Sequence, residues 1–515
     1  MKNENGKAKA ILITVISILI IALIAVLVIF KFKGNSNKND GKNGSTGTGD
    51  YTGTMTLIED NDKEYVFIDS NGNVRKLSKS KVGDMGMTSI GSVYYQNSLH
   101  TKKDDKNYII DFNGNILYES DDNFETLVNS EDAVLYQVYE DGNFGIVNAK
   151  GEKIIDTKYS DKFNTISNYI DPYIYNRGYS STSSGYEISF FDKDGKVVYT
   201  GPTEESSLFG NKSGKTRTGI NLVEFRKTKT SIVVLNLNTG EEIASLTDEG
   251  DHTFDIETKG NVAIISSYKQ GTYGANEGDT QTKYVWFNEE GKVSNVINKN
   301  DKEYIRFWNG SSEEDYTIYT KENNEEVAID KYGKEVYKTT ASLSQLNDTN
   351  DITGKTTSVL IDSKAGTINS EGKVIITKKA KSIGNKYIFD GSTLYNYDGS
   401  VYMENVKSYG SVYNLDIIRT AEKTIIANQD GKSIEKEADF SLGGECRLLN
   451  DKIIAIVKDD KKVTFIKMDD LSFKELDTNG SKHVFVENGY ISVSKSDSGY
   501  DYYNANGDKI YSTKE

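Results

Sequence analysis

Two stretches carry oxygen side chains at a spacing that metal chemistry uses. "DKDGK" (Asp192, Asp194) and "DSNGN" (Asp69, Asn71) each set two such side chains two residues apart. A twelve-residue EF-type calcium loop needs Gly at its sixth position and a bidentate Glu at its twelfth. Here Gly falls at the fourth position and no Glu follows in register. Turn chemistry accounts for these residues, and no metal is expected.

Phosphate chemistry has two candidates. "GNKSGKT" (210–216) looks like a P-loop, but three residues separate Gly210 from Gly214 where four are needed. Phe209 stands where the first glycine belongs, and no helical pattern follows to complete the cradle. "TGKTT" (353–357) fails in the same way, with Thr349 in the first-glycine position. Hydrolytic chemistry also lacks parts. The three histidines (His100, His252, His483) lie far apart, and no Gly-x-Ser-x-Gly elbow occurs. Carboxylate pairs for glycoside cleavage stay open, because acidic residues abound and such a pair is a spatial property. No catalytic, cofactor-binding or metal residue is nominated, and no cofactor is expected.

Binding chemistry has more to offer. Tyrosine-dense runs at 93–96 ("VYYQ"), 169–179 ("YIDPYIYNRGY") and 499–503 ("GYDYY"), with Trp286 and Trp308, could present aromatic platforms to glycans or peptides. The plainer expectation is that these rings fill spaces between packed sheets. The run 169–186 is the best single candidate for an exposed binding loop, being too polar and irregular for one strand. The other insertions worth attention are 204–218 and 268–282.

The elements that would position these residues follow from a repeat. An apolar run, then Asp or Asn, two variable residues, Gly, and a second apolar run recurs at Gly72, Gly114, Gly151, Gly195, Gly240, Gly291, Gly333, Gly372, Gly399, Gly431 and Gly507. A degenerate copy lies near Leu471, and the Gly240 copy has either Asn236 or Asn238 as its anchor. The Asx side chain accepts backbone N–H groups across a tight turn while Gly supplies a positive φ. Alternating apolar and polar residues on either side mark half-buried strands. A period of about 40 residues, with one hairpin and room for two more strands, fits four-stranded propeller blades. Composition agrees: 45 Gly, 34 Tyr and only 2 Pro suit many short strands and turns.

The unit resembles WG repeats, bacterial β-rich repeats. "FGIVNAKGEKIIDTKYSDKF" carries the match, with Phe144 in the Trp place, then Gly145, Asn148, Gly151, Lys153 and Tyr159; "AGTINSEGKVIITKK" around Gly372 is a second copy. Trp is absent from the signature position, and Asp156 stands where Pro is usual. The resemblance implies a repeat scaffold and transfers no site.

Residues 10–30 hold 21 residues without a charge, about 30 Å as a helix and enough to cross a bilayer. Lys residues flank both ends, so charge does not choose an orientation. Residues 34–54 are rich in Gly, Asn, Ser and Thr, as a flexible tether is. The net charge of −15 argues against nucleic acid as the main partner. A single Cys446 excludes a disulfide framework.

The expectation is an all-β protein: a β-propeller of about twelve hairpin-containing repeats, as two successive propellers or one large ring, behind an N-terminal transmembrane helix. Its segments are a cytoplasmic tail (1–9), the membrane helix (10–30), a linker (31–54) and two propeller halves or domains (55–300 and 301–515). The expected function is noncatalytic binding or scaffolding at the cell surface, with the large C-terminal domain outside and a protein or cell-wall glycan as ligand. A surface enzyme acting on polysaccharide or peptide, and a cytoplasm-facing sensor, are the alternatives.

Overall fold

The computed structural model describes residues 53–513 apart from 87–88, 167–169, 182–184, 205–212, 248–251, 270–280, 300–302, 308–316, 340–355, 362–363, 370–373, 379, 459–461, 479–482, 488 and 496–498. The membrane span expected at 10–30, its flanking segments, the Gly372 turn and Trp308 lie outside the described residues. Among those described, no helix is long and apolar enough to cross a membrane.

The described chain is all-β. It forms twelve antiparallel sheets, ten of four strands and two of three, nearly all running as simple meanders in chain order. The third sheet shows the plan with strands Glu125–Asn129, Val134–Glu140, Asn143–Asn148 and Lys153–Tyr159. This is the blade of a β-propeller. The first sheet departs from the plan: Val93–Tyr94, later in the chain than its other three strands, pairs with Met55–Asp60 at its edge.

The recurrent Asx-x-x-Gly motif joins the third and fourth strands of the four-stranded meanders, and the second and third strands of the first and second sheets. In the first sheet, Asp69 Oδ1 accepts the N–H groups of Asn71 (2.9 Å) and Asn73 (2.7 Å), and Gly72 N–H reaches Asp69 O (3.0 Å). Gly72 has φ 80°, so the hairpin is a type I turn closed by a left-handed residue. In other sheets a one-residue register shift accompanies the same turn, as at Phe190/Phe191 and Trp286/Phe287. The same bonds recur at Asn148, Asp192, Asn288, Asp330 and Asn504. In the longer Gly240 copy Asn236 is the anchor, since its carbonyl accepts the Gly240 N–H. Leu471 fills the glycine place of the degenerate copy at φ 58°.

These turns also fix one sheet to the one before it. A Cβ on Gly151 would lie 2.2 Å from Leu117 O of the second sheet, and one on Gly195 2.5 Å from Ile154 O of the third. Polar arms reinforce the contact: Arg75 Nε donates to Phe112 O (2.7 Å) and Asn295 Nδ2 to Gly333 O (2.7 Å). Glycine is therefore required twice, for its φ and for the close approach.

Apolar clusters fill the spaces between successive sheets. Phe163, Phe191 and Tyr159 meet edge to face between the third and fourth. Trp286, fully buried, packs with Val327 and Ile329 between the sixth and seventh. Ile58, Val66 and Ile68 of the first sheet pack on Tyr490 and Tyr502 of the twelfth. The core thus runs across the boundary expected at residue 300, and the last sheet returns to the first. Residues Gly49–Glu515 form one compact unit.

The run 169–186 is not a single loop. Its residues Ile174–Ser180 form one strand, and Gly185–Phe191 begins the next. More exposed residues alternate there with buried Ile174 and Asn176, so what reads as irregular is a half-buried strand that runs unbroken through Gly178.

Candidate functional site

Antiparallel meandering puts the first-to-second and third-to-fourth connections of each four-stranded meander at the same end. At that end of the third, fourth and fifth sheets the connections enclose a contiguous cleft, whose largest part has a volume of about 540 Å³. Asp132 comes from the first connection of the third sheet, and Asp171, Pro172 and Tyr173 from that of the fourth. Lys215 comes from the first strand of the fifth sheet. The glycine turns complete the walls with Asp192, Lys193 and Asp194 on one side and Asn148 and Lys150 on the other.

Asp171 is the most constrained of these groups. Its backbone N–H donates to Asn221 Oδ1 (2.9 Å), and Asn221 Nδ2 donates back to Asp171 Oδ2 (2.8 Å). Asn221 is fully buried and is itself fixed by Asn238 Oδ1, which accepts its N–H at 2.7 Å. Lys215 Nζ pairs with Asp171 Oδ1. The carboxylate is thus held in one orientation before any ligand arrives. Asp192 spends Oδ1 on its own turn, accepting from Asp194 N–H (3.0 Å) and Lys196 N–H (2.9 Å). Burial pushes the Tyr173 phenol up to about 12, with Asp171 and Asp192 adding to the shift. At neutral pH it remains a hydrogen-bond donor.

The other sequence candidates take structural places. Asp69 serves its turn. Ser213–Lys215 of the P-loop-like stretch is strand, its Lys215 committed to Asp171. From "TGKTT", Thr356 onward is strand. His100 stacks on Phe124 with ring centroids 4.4 Å apart, and burial lowers its pKa. It belongs to the second sheet, whereas His483 precedes the first strand of the twelfth. Among the described residues no group of three or more His, Cys, Asp or Glu could hold a metal. Trp286 and Tyr502 are core, whereas Tyr179 is exposed and packs edge to face on Tyr186. Cys446 is half-buried, which raises its thiol pKa.

Sequence reasoning placed Asp171 inside a tyrosine-rich run but gave no role to Asn221, fifty residues away. One local signal existed. The Gly195 turn carries Asp192, Lys193 and Asp194, a charge density that turn geometry alone does not need.

No protein-family model matches the sequence, and no curated protein does either. Solved structures with some likeness include a eukaryotic initiation factor, at 9% identity and a TM-score of 0.26, covering 80% of this chain and 94% of that one. Another is BamB from Moraxella catarrhalis, at 10% identity and a TM-score of 0.18, covering 63% and 89%.

Proposed function

We propose that this chain is a noncatalytic binding protein, anchored in the membrane by residues 10–30 and holding its propeller outside the cell to engage a protein or cell-wall glycan. The observation that carries the reading is the cleft across the third to fifth sheets, where buried Asn221 holds Asp171 ready. A preorganised polar group in a concave site is what a ligand pocket needs. The test uses the full chain in detergent micelles on glycan and peptide arrays. Binding to either, weakened by Asp171→Asn, is the expected result, and silence on both arrays rejects the reading. Protease shaving of intact cells tests the topology, since full protection would turn the propeller inward and make it a cytoplasmic sensor.

We further propose one ring of twelve blades rather than two successive propellers. Two six-sheet rings would pack the sixth sheet on the first and the twelfth on the seventh. Instead, a Cβ on Gly333 of the seventh would lie 2.8 Å from Trp286 Cβ of the sixth, and one on Gly72 2.8 Å from Asn504 Cβ of the twelfth. We also propose kinship with WG repeats. Its support is that a Cβ on Gly145 would strike Ile155 O at 2.7 Å, while Phe144 in the Trp place packs on Tyr139 at 4.9 Å.

A surface hydrolase is the second reading, favoured by four carboxylates (Asp132, Asp171, Asp192, Asp194) lining one cleft. Release of sugars or peptides from a polymer, lost on changing a carboxylate pair, would carry it.

A further inference from the structure

The binding reading leaves the ligand class open between protein and glycan. The cleft is lined by both charge signs: four carboxylates (Asp132, Asp171, Asp192, Asp194) and three ammonium groups (Lys150, Lys193, Lys215). A cationic peptide would gain from the carboxylates and meet repulsion from the lysines, and an anionic polymer would meet the reverse. Lys215 already pairs with Asp171, the carboxylate that buried Asn221 holds in place. An ionised carboxylate offers about four lone-pair sites, so Asp171 keeps acceptor capacity after serving Asn221 and Lys215. What remains is alternating acceptors and donors, with the protonated Tyr173 phenol among the donors and the Pro172–Tyr173 pair as the apolar wall.

We infer that this cleft binds an uncharged oligosaccharide. The inference rests on the binding reading above and narrows it. Each hydroxyl of a neutral sugar both donates and accepts, so it can answer carboxylate and ammonium in turn. Its ring faces supply the apolar contact that Pro172 and Tyr173 can meet. The cleft volume of about 540 Å³ lies within the range of small-molecule sites, roughly 300–1,000 Å³, and suits a few sugar units.

The test measures the full chain in detergent micelles against two probes, a β-linked N-acetylglucosamine tetramer and a lysine-rich peptide. The tetramer is expected to bind with affinity changing less than about twofold as salt rises tenfold, because no net charge is screened. Asp171→Asn and Asp132→Asn are expected to weaken it about tenfold, the usual loss for a hydrogen bond to a charged group. Asp132 is exposed, so its variant leaves the fold intact whatever Asp171→Asn does. Salt-sensitive binding of the peptide alone, lost in the same variants, overturns the sugar assignment while the binding reading stands. A tetramer indifferent to both variants, or not bound, also overturns it. The binding reading itself falls only if the glycan and peptide arrays are silent as well.

Discussion

Tyr511 donates its phenol to Glu59 at 2.5 Å across 452 residues of chain. The pair repeats a relationship seen inside the chain, where Tyr118 of the second sheet donates to Glu140 of the third at 2.5 Å. In both, a tyrosine on the last strand of one sheet meets a glutamate of the following sheet, so the twelfth sheet treats the first as its successor. Burial, then the glutamate beside each phenol, holds both tyrosine pKa values well above normal, and both stay protonated donors at any physiological pH.

The junction between last and first sheets should therefore cost as much to weaken as an internal one. Tyr511→Phe is expected to lower unfolding stability by about 1–2 kcal/mol, the usual loss for a bond to a partly buried charge, and Tyr118→Phe by a similar amount. Denaturant midpoints of the two variants check this. A silent Tyr511→Phe beside a damaging Tyr118→Phe would mean the terminal sheets are not held together in solution.

The two demands on the turn glycines can be separated. Gly431 has φ 88° and open space around its missing Cβ, whereas Gly151 has φ 80° and Leu117 O in the way. Gly431→Ala should cost about 1 kcal/mol, the left-handed penalty alone. Gly151→Ala adds displacement of the neighbouring backbone and should cost about 3 kcal/mol or more. Thermal or denaturant unfolding of the pair measures the difference. Equal losses would show that the close approach is unimportant.

These cases mark what was legible in the sequence. The turn is local: Asn148 reaches Lys150 and Glu152 N–H groups within four residues, so spacing alone reveals it, and its recurrence reveals the repeated sheets. What each turn touches is not local. Nothing near Gly151 announces Leu117 O, and nothing near Asp171 announces Asn221, because both partners arrive through the stacking of neighbouring sheets. The strand Ile174–Ser180 was hidden for a different reason: Asn176 is buried among its apolar neighbours, bonding Asp161 O through its side chain, which blurs the alternation that marks a strand.

Leu471 tests which effect wins when a turn lacks glycine. Its φ of 58° costs roughly 1–2 kcal/mol relative to glycine. Yet its side chain is 3% exposed and packs with Ile454, Ile466 and Met468 between the tenth and eleventh sheets. Removing a buried leucine costs about 2–5 kcal/mol. Burial outweighs strain, so Leu471→Gly should destabilise by about 1–3 kcal/mol despite restoring the repeat consensus. A variant more stable than the parent would show that the leucine is poorly packed.

Asp390 supplies the pH dependence. Its side chain is 2% exposed and would be pushed up by burial, but Lys378, the N–H groups of Ser392 and Thr393, and the Tyr395 phenol hold it well below the usual carboxylate range. The Lys378 ammonium lies 2.8 Å away, and the two N–H groups reach Oδ1 at 2.9 and 2.8 Å. A carboxyl whose folded pKa is depressed binds fewer protons folded than unfolded. Its stabilisation is complete above the unfolded value of about 3.9 and fades as pH falls through the folded one. Asp390→Asn keeps the size but loses the charge. The stability gap between parent and variant should stay constant from pH 7 to about pH 4 and narrow below that. Denaturant unfolding across that range checks it. A gap that instead narrows between pH 7 and 5 would assign the effect to another group, and no gap at pH 7 would show that the network adds nothing to stability.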